Sequence, residues 1–248
     1  MPGPHADPPV DLDDALAVLR YGDDALDEGL EARMAAALDH AAATALVARL
    51  DELRRALQAD DPRSSRRGVG LFGRLMGHDV QAESEAAGLR ARMGTLVVAA
   101  DRSAEALEAR GTVLQGLQDE AAAAVTGLAA VIARARAWLD AHPEAGATAA
   151  GTGPQGILPP RAGLERRLEQ LATVQATREL GARQLALLRA QDLELLARYR
   201  RIRDVLLPAW RQQALAGAGA AGQHRARAAA EAWAAIESEV DAMAAKLD

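Results

Sequence analysis

The chain has 248 residues, half of them apolar but only 2% aromatic, and a formal net charge of -6. It contains no cysteine, which excludes disulfides, thiolate metal sites and thiol-based reduction of an oxyanion by the chain itself. The negative balance disfavours nonspecific nucleic-acid binding, and an Ala-, Leu-, Arg- and Glu-rich composition fits long helices packed along seams better than layers around a compact centre. The longest apolar runs are interrupted by charge well short of the roughly 20 residues that a membrane span needs, and no signal peptide opens the chain, so a cytoplasmic protein is expected.

In chain order, the proline-rich opening 1–10 reads as a disordered tail. Residues 11–60 read as N-terminal helices. Asp11 or Asp13 is expected to cap the first, Gly22 to break it, and Leu26, Leu30, Met34 and Leu38 to carry an apolar stripe toward His40. Leu46, Leu50, Leu53 and Leu57 predict a further helix from about Thr44 to Ala59. The stretch 61–78 is a basic linker with a short apolar segment. Its Gly68, Gly70 and Gly73 spell GxGxxG, but a phosphate cradle needs a preceding buried strand, and Ser64, Ser65, Arg66 and Arg67 stand there instead. The segment reads as an apolar plug; the alternative is a peripheral contact through 63–76, with Arg66, Arg67, Leu71, Phe72 and Arg74 touching an anionic membrane or an acidic partner.

Residues 79–141 form one long proline-free helical stretch. Leu89, Leu96, Ser103, Arg110, Leu117, Ala124, Val131 and Trp138 share one heptad position, and Met93, Ala100, Leu107, Leu114, Ala121, Leu128 and Ala135 share the other. A flexible loop is expected over 142–160. A second helical segment begins at Arg161, and its seam runs from Leu164 through Leu171, Leu185, Tyr199 and Leu206, interleaved with Val174, Gly181, Leu188, Leu195 and Ile202. Pro208 lies inside the helical period, where it removes a backbone hydrogen bond and presses on the carbonyl of Asp204, so a kink is expected with Trp210 buried on its concave side. The stripe resumes at Trp233, Ile236, Val240, Met243 and Leu247, and 161–248 reads as one broken helix. The predicted fold is therefore all-α, an elongated bundle of long antiparallel helices with coiled-coil-like seams. Facing residues across the hairpin would sum to about 303, an inference from heptad geometry. That register sets Arg110 against Asp192 and Ser103 against Tyr199. The Arg110 and Asp192 charges are expected to pair, because neither is tolerated alone in a seam.

Three stretches carry a family resemblance. LLPAWRQQ is similar to the IPLWKxQ pattern that ends a helical run in the toxic anion resistance family, the TelA-type tellurite resistance proteins, with Leu207 in place of isoleucine and Ala209 in place of a larger apolar residue. VLRYGDDA resembles that family's YGxxA start, and GLFGRLM its short LFG segment ahead of a long helix. The resemblance implies a cytoplasmic bacterial helical protein tied to tellurite and envelope stress, without a settled biochemical activity.

The five histidines are scattered and no serine sits in a strand-turn-helix elbow, so neither a metal site nor a nucleophilic triad is readable, and no enzyme or cofactor is expected. Arg198, Arg200, Arg201, Arg203 and Arg211 form the leading candidate contact, since guanidinium forks bind carboxylates and oxyanions. Asp192, Glu194 and Asp204 stand nearby as pairing partners, which makes a solvated, internally paired face the plain alternative. The reading is a non-catalytic interaction scaffold that docks protein partners, acidic ones or members of the tellurium resistance system. Direct oxyanion binding by the arginines is the first alternative, and a generic coiled-coil structural protein the second.

Overall fold

A computed structural model describes residues 8–59, 78–146, 159–214 and 222–247. The described elements are all helical: α1 (Ala15–Arg20), a 3-10 turn (Asp23–Ala25), α2 (Glu28–Ala37), α3 (Ala41–Ala59), α4 (His78–Ala141), α5 (Pro160–Arg201), a π turn (Ile202–Leu206), α6 (Leu207–Ala214) and α7 (Gly222–Ala244). The chain divides into two compact units, one of residues 1–38 with 113–187 and the other of 39–112 with 188–248. The N-terminal helices therefore separate, α1 and α2 joining the first unit and α3 the second.

In the first unit, Asp14 rather than Asp11 or Asp13 caps α1, accepting from the N–H groups of Leu16 and Ala17. An N-cap must stand immediately before the first helical residue to reach two free amides, and Asp14 alone has that place. Asp27 does the same for α2 through Gly29 and Leu30. Between the two caps the chain turns at Gly22, whose φ of +80° lies in the left-handed region that a side chain disfavours. Val18 and Tyr21 from this end pack with Leu128, Ile132 and Leu139 of α4 and with Leu164, Leu168 and Leu171 of α5. Leu30 and Met34 of α2 are buried too, whereas Leu38, assigned to the same stripe, is exposed because α2 has already ended at Ala37. Where α2 meets α5 the approach is close enough that a Cβ on Gly181 would stand 2.5 Å from the tip of Met34.

In the second unit, Leu46, Leu50, Leu53 and Leu57 of α3 are each at most 3% exposed and pack with Met93, Ala100 and Leu107 of α4, with Leu195, Tyr199 and Ile202, and with Ile236, Val240 and Met243 of α7. Burying a leucine of this kind stabilises by roughly 1.5–3 kcal/mol. Glu239 of α7 meets Arg198, and Lys246, farther along, meets Glu194, which lies earlier on α5. So α7 runs back antiparallel to α5 and does not continue it. The expected single broken helix to the C-terminus is corrected on this point: the apolar stripe of α7 is buried only by reversing onto the same core, and the glycine-rich stretch 215–221 lies outside the described residues.

The two seam positions of α4 are unequal. Met93, Ala100, Leu107, Leu114, Ala121, Leu128 and Ala135 are all at most 1% exposed, and of the other set only Leu117 is buried among the described side chains. A position that stays buried over six heptads keeps to a 3.5-residue repeat without the drift of about 20° per heptad that a straight α-helix would show, and Ala104, Ile132 and Leu139, each four residues after a member of that set, take over part of the second position. A stretch within Ala91–Ala141 is long and apolar enough to cross a membrane by length and composition, with a mean hydropathy of 1.3. The clustered alanines of 121–133 raise the mean hydropathy of that stretch.

Candidate functional site

Pro208 is accommodated by a change of helix type. Ahead of it the backbone opens into a π turn, and the N–H of Leu207 donates to the carbonyl of Ile202, five residues back. The wider turn relieves the contact between the proline ring and the preceding carbonyls that a straight α-helix would impose. The expected kink is thus a π bulge, and Trp210 beyond it is half-buried rather than enclosed, packing on the edge of the core while Leu206 and Leu207 sink into it. Pro208 itself is exposed.

The arginines of this helix are engaged by carboxylates. Arg198 Nη1 donates to Glu239 Oε2 at 2.7 Å and Arg201 Nη1 to Glu239 Oε1 at 2.8 Å, so one buried carboxylate is held by two guanidinium groups. Arg198 also pairs with Glu194, Arg200 with Glu108 at 2.7 Å, and Arg203 with Asp101 at 2.6 Å and with Asp204. The Lys246 ammonium, then Arg198, hold the Glu194 carboxyl below its ordinary value. Arg211 is exposed, and no carboxylate pairs with it among the described residues. These groups line a helix face and do not converge on a pocket. The unit's shallow cleft, about 370 Å³ between α3 and α7, is floored by Val47, Ala48, Val240 and Leu247 and lies apart from the arginine face.

Arg110 and Asp192 meet, Nη1 to Oδ2 at 2.5 Å, with side chains 13% and 4% exposed. Burial pushes the Asp192 carboxyl above the ordinary carboxylate range, and the guanidinium offsets only part of that effect. One layer on, the Tyr199 hydroxyl donates to Asp101 Oδ1 at 2.6 Å, whereas Ser103, its expected neighbour, donates to its own helix at Ala99. Burial, reinforced by that hydrogen bond, holds the Tyr199 phenol well above its usual range.

Three arginines of the first unit were not singled out from the sequence. Arg178, 2% exposed, donates Nε to Glu31 at 2.7 Å, Nη1 to the carbonyl of Ala25 at 3.2 Å and Nη2 to that of Asp27 at 3.0 Å. Arg167 donates to the carbonyl of Tyr21 at 2.9 Å and to Asp23 at 2.5 Å. Arg161 donates to the carbonyls of Leu139 and His142 at the end of α4. The YGDDA stretch is therefore a turn clasped by Arg167 and Arg178, with Tyr21 donating its hydroxyl to the carbonyl of Val131. The Arg178 hydrogen bond holds the Glu31 carboxyl below its ordinary value. The signal for Arg178 was available, since it occupies the same heptad position as Leu171, Leu185 and Asp192.

Arg66, Arg67, Leu71, Phe72 and Arg74 lie outside the described residues, as do 1–7 and 147–158 of the expected tail and loop. No group of three or more metal-ligating side chains is gathered among the described residues.

No family model matches the chain, and no solved structure matches it. Over 179 residues, 72% of this chain and 69% of the relative, it is 30% identical to protein KlaA of Escherichia coli. At that identity and coverage, the chain belongs to the KlaA family.

Proposed function

We propose that the chain is a non-catalytic helical scaffold of the toxic anion resistance system, a TelA-type protein that docks protein partners in a tellurite and envelope stress response in the cytoplasm. Kinship with KlaA and the three motifs of the sequence support the family context. The observation that carries the role is the state of the arginine helix: Arg198, Arg200, Arg201 and Arg203 already have carboxylate partners at 2.6–3.0 Å, which a small oxyanion would have to displace. An acidic protein segment does so more readily, because exposed pairs such as Arg200 with Glu108 contribute little and Arg211 adds a further cation. The test has two arms. Titration calorimetry with tellurite gives no saturable heat up to about millimolar concentration, while loss of the gene lowers tellurite tolerance in the native host and the wild-type chain restores it. Saturable binding tighter than that, abolished by Arg200→Ala with Arg201→Ala, replaces the scaffold by oxyanion sequestration.

A further inference from the structure

The first unit carries an apolar face that nothing among the described residues covers. On α1, Leu16 is 53% and Leu19 66% exposed, three residues apart and so on one side of the helix, while Val18 alone of that helix is buried. Two exposed leucines on a six-residue helix are not required for its packing, because Val18 and the Asp14 cap already fix it.

The chemistry around them selects the occupant. Residues 11–31 carry eight carboxylates against one arginine, Arg20. Half of these are used inside the unit: Asp14 and Asp27 as caps, Asp23 by Arg167 and Glu31 by Arg178. Asp11, Asp13, Asp24 and Glu28 have no ion-pair partner among the described residues. Asp11 and Asp13 precede the leucine pair in the chain and Asp24 and Glu28 follow it, and a leucine pair on a stretch with this excess of carboxylates repels anionic lipid and acidic protein and complements a segment with leucines on one face and lysines or arginines on the flanks. We infer that the Leu16–Leu19 face of α1 is a docking site for a basic amphipathic segment of a partner protein. This surface is separate from the arginine helix, so it stands or falls independently of the proposed function.

The experiment uses the full chain and a fluorescein-labelled amphipathic leucine–lysine helical peptide, read by anisotropy. The expected result is saturable binding that Leu16→Ser with Leu19→Ser weakens about tenfold or more. Asp13→Asn with Asp24→Asn weakens it less and flattens its dependence on salt. A leucine–glutamate peptide does not bind. Unchanged circular dichroism and tryptophan emission show that the variants are folded; should the double serine variant fail this check, Leu19→Ser alone, at the more exposed position, replaces it. Absence of binding overturns the inference, and so does binding that the serine variants leave intact, which would be charge attraction alone. Leucine-dependent binding to phosphatidylglycerol vesicles overturns it in favour of a lipid surface, and a leucine-dependent dimer of the free chain in favour of a second copy.

Discussion

The two units use the same side chain in opposite ways. In the first, the guanidinium groups of Arg161, Arg167 and Arg178 are turned onto backbone carbonyls, where they close a helix end and clasp the turn between α1 and α2. In the second, Arg198, Arg200, Arg201 and Arg203 face carboxylates, most of them near solvent. A buried arginine bound to carbonyls cannot be given up without leaving several polar groups unsatisfied, whereas an exposed pair is replaced by water at little cost. The first arrangement fixes a chain path, and the second, apart from the buried Glu239, holds its charges at the surface.

The largest break in that contrast should come from Arg178→Ala, which strips Glu31 and the carbonyls of Ala25 and Asp27 of a shared donor. We expect a loss of about 3–5 kcal/mol, the cost of breaking a buried charged network. Urea unfolding followed by Trp138, in a background with Trp210 and Trp233 changed to Phe, reads this unit, since Trp138 packs on its core. A loss under about 1 kcal/mol, the range of a surface pair, would erase the distinction between the units.

Next is a pair of the second unit whose enclosure resembles that of the first unit's buried arginines. Asp192→Ala leaves Arg110 without that carboxylate and should cost about 3 kcal/mol, while leucine at both positions should be near neutral. Acid sharpens the point. Burial raises the native carboxyl of Asp192, so its contribution is fully present below the ordinary aspartate value near 3.9 and is lost as pH rises through the raised native value. The stability of wild type relative to Asp192→Asn should therefore increase as pH falls through that window. Glu31 and Glu194, whose carboxyls are lowered, act in the opposite direction but equally in both proteins. A gap between wild type and Asp192→Asn that shrinks on acidification would contradict the assignment.

Gly22→Ala should cost about 2 kcal/mol, the strain of a left-handed residue with a side chain, and more if Leu171 cannot move, since the new Cβ would lie 2.7 Å from Leu171 Cδ1. The same change at Gly127, where a Cβ meets open space on α4, should stabilise by about 0.5–1 kcal/mol. Opposite signs from one chemical change in thermal melts separate the constrained turn from the plain helix.

The central seam position of α4 was legible because a period is a local property. Met93 through Ala135 and the meeting of Arg110 with Asp192 follow from spacing and from the cost of an unpaired seam charge. Arg178 shows where that reading stops. It occupies a seam position, but its partners come from a turn some 150 residues away in sequence, and periodicity within a helix says nothing about what a distant turn offers. Pro208 was read as a kink because proline opposes an α-helix, and the π turn is a second way of meeting the same constraint. The reversal of α7 was not legible because an alanine- and glycine-rich stretch is compatible with continuation, and only the pairing of Glu239 with Arg198 and of Lys246 with Glu194 decides the direction.

The smallest effect tests the other side of the comparison. Arg200 and Glu108 pair at 2.7 Å, but their side chains are 65% and 47% exposed, so the attraction acts through water and competes with the entropy of two long side chains. Arg200→Ala should shift stability by less than about 1 kcal/mol, and the shift should vanish in about 1 M salt, where the screening length falls to roughly 3 Å. Unfolding read by Trp210 and Trp233, which pack on this unit's core, would show it. A larger loss that persists in salt would place Arg200 with the clasping arginines of the first unit and would count against the proposed exchange of its carboxylate for one from an acidic partner.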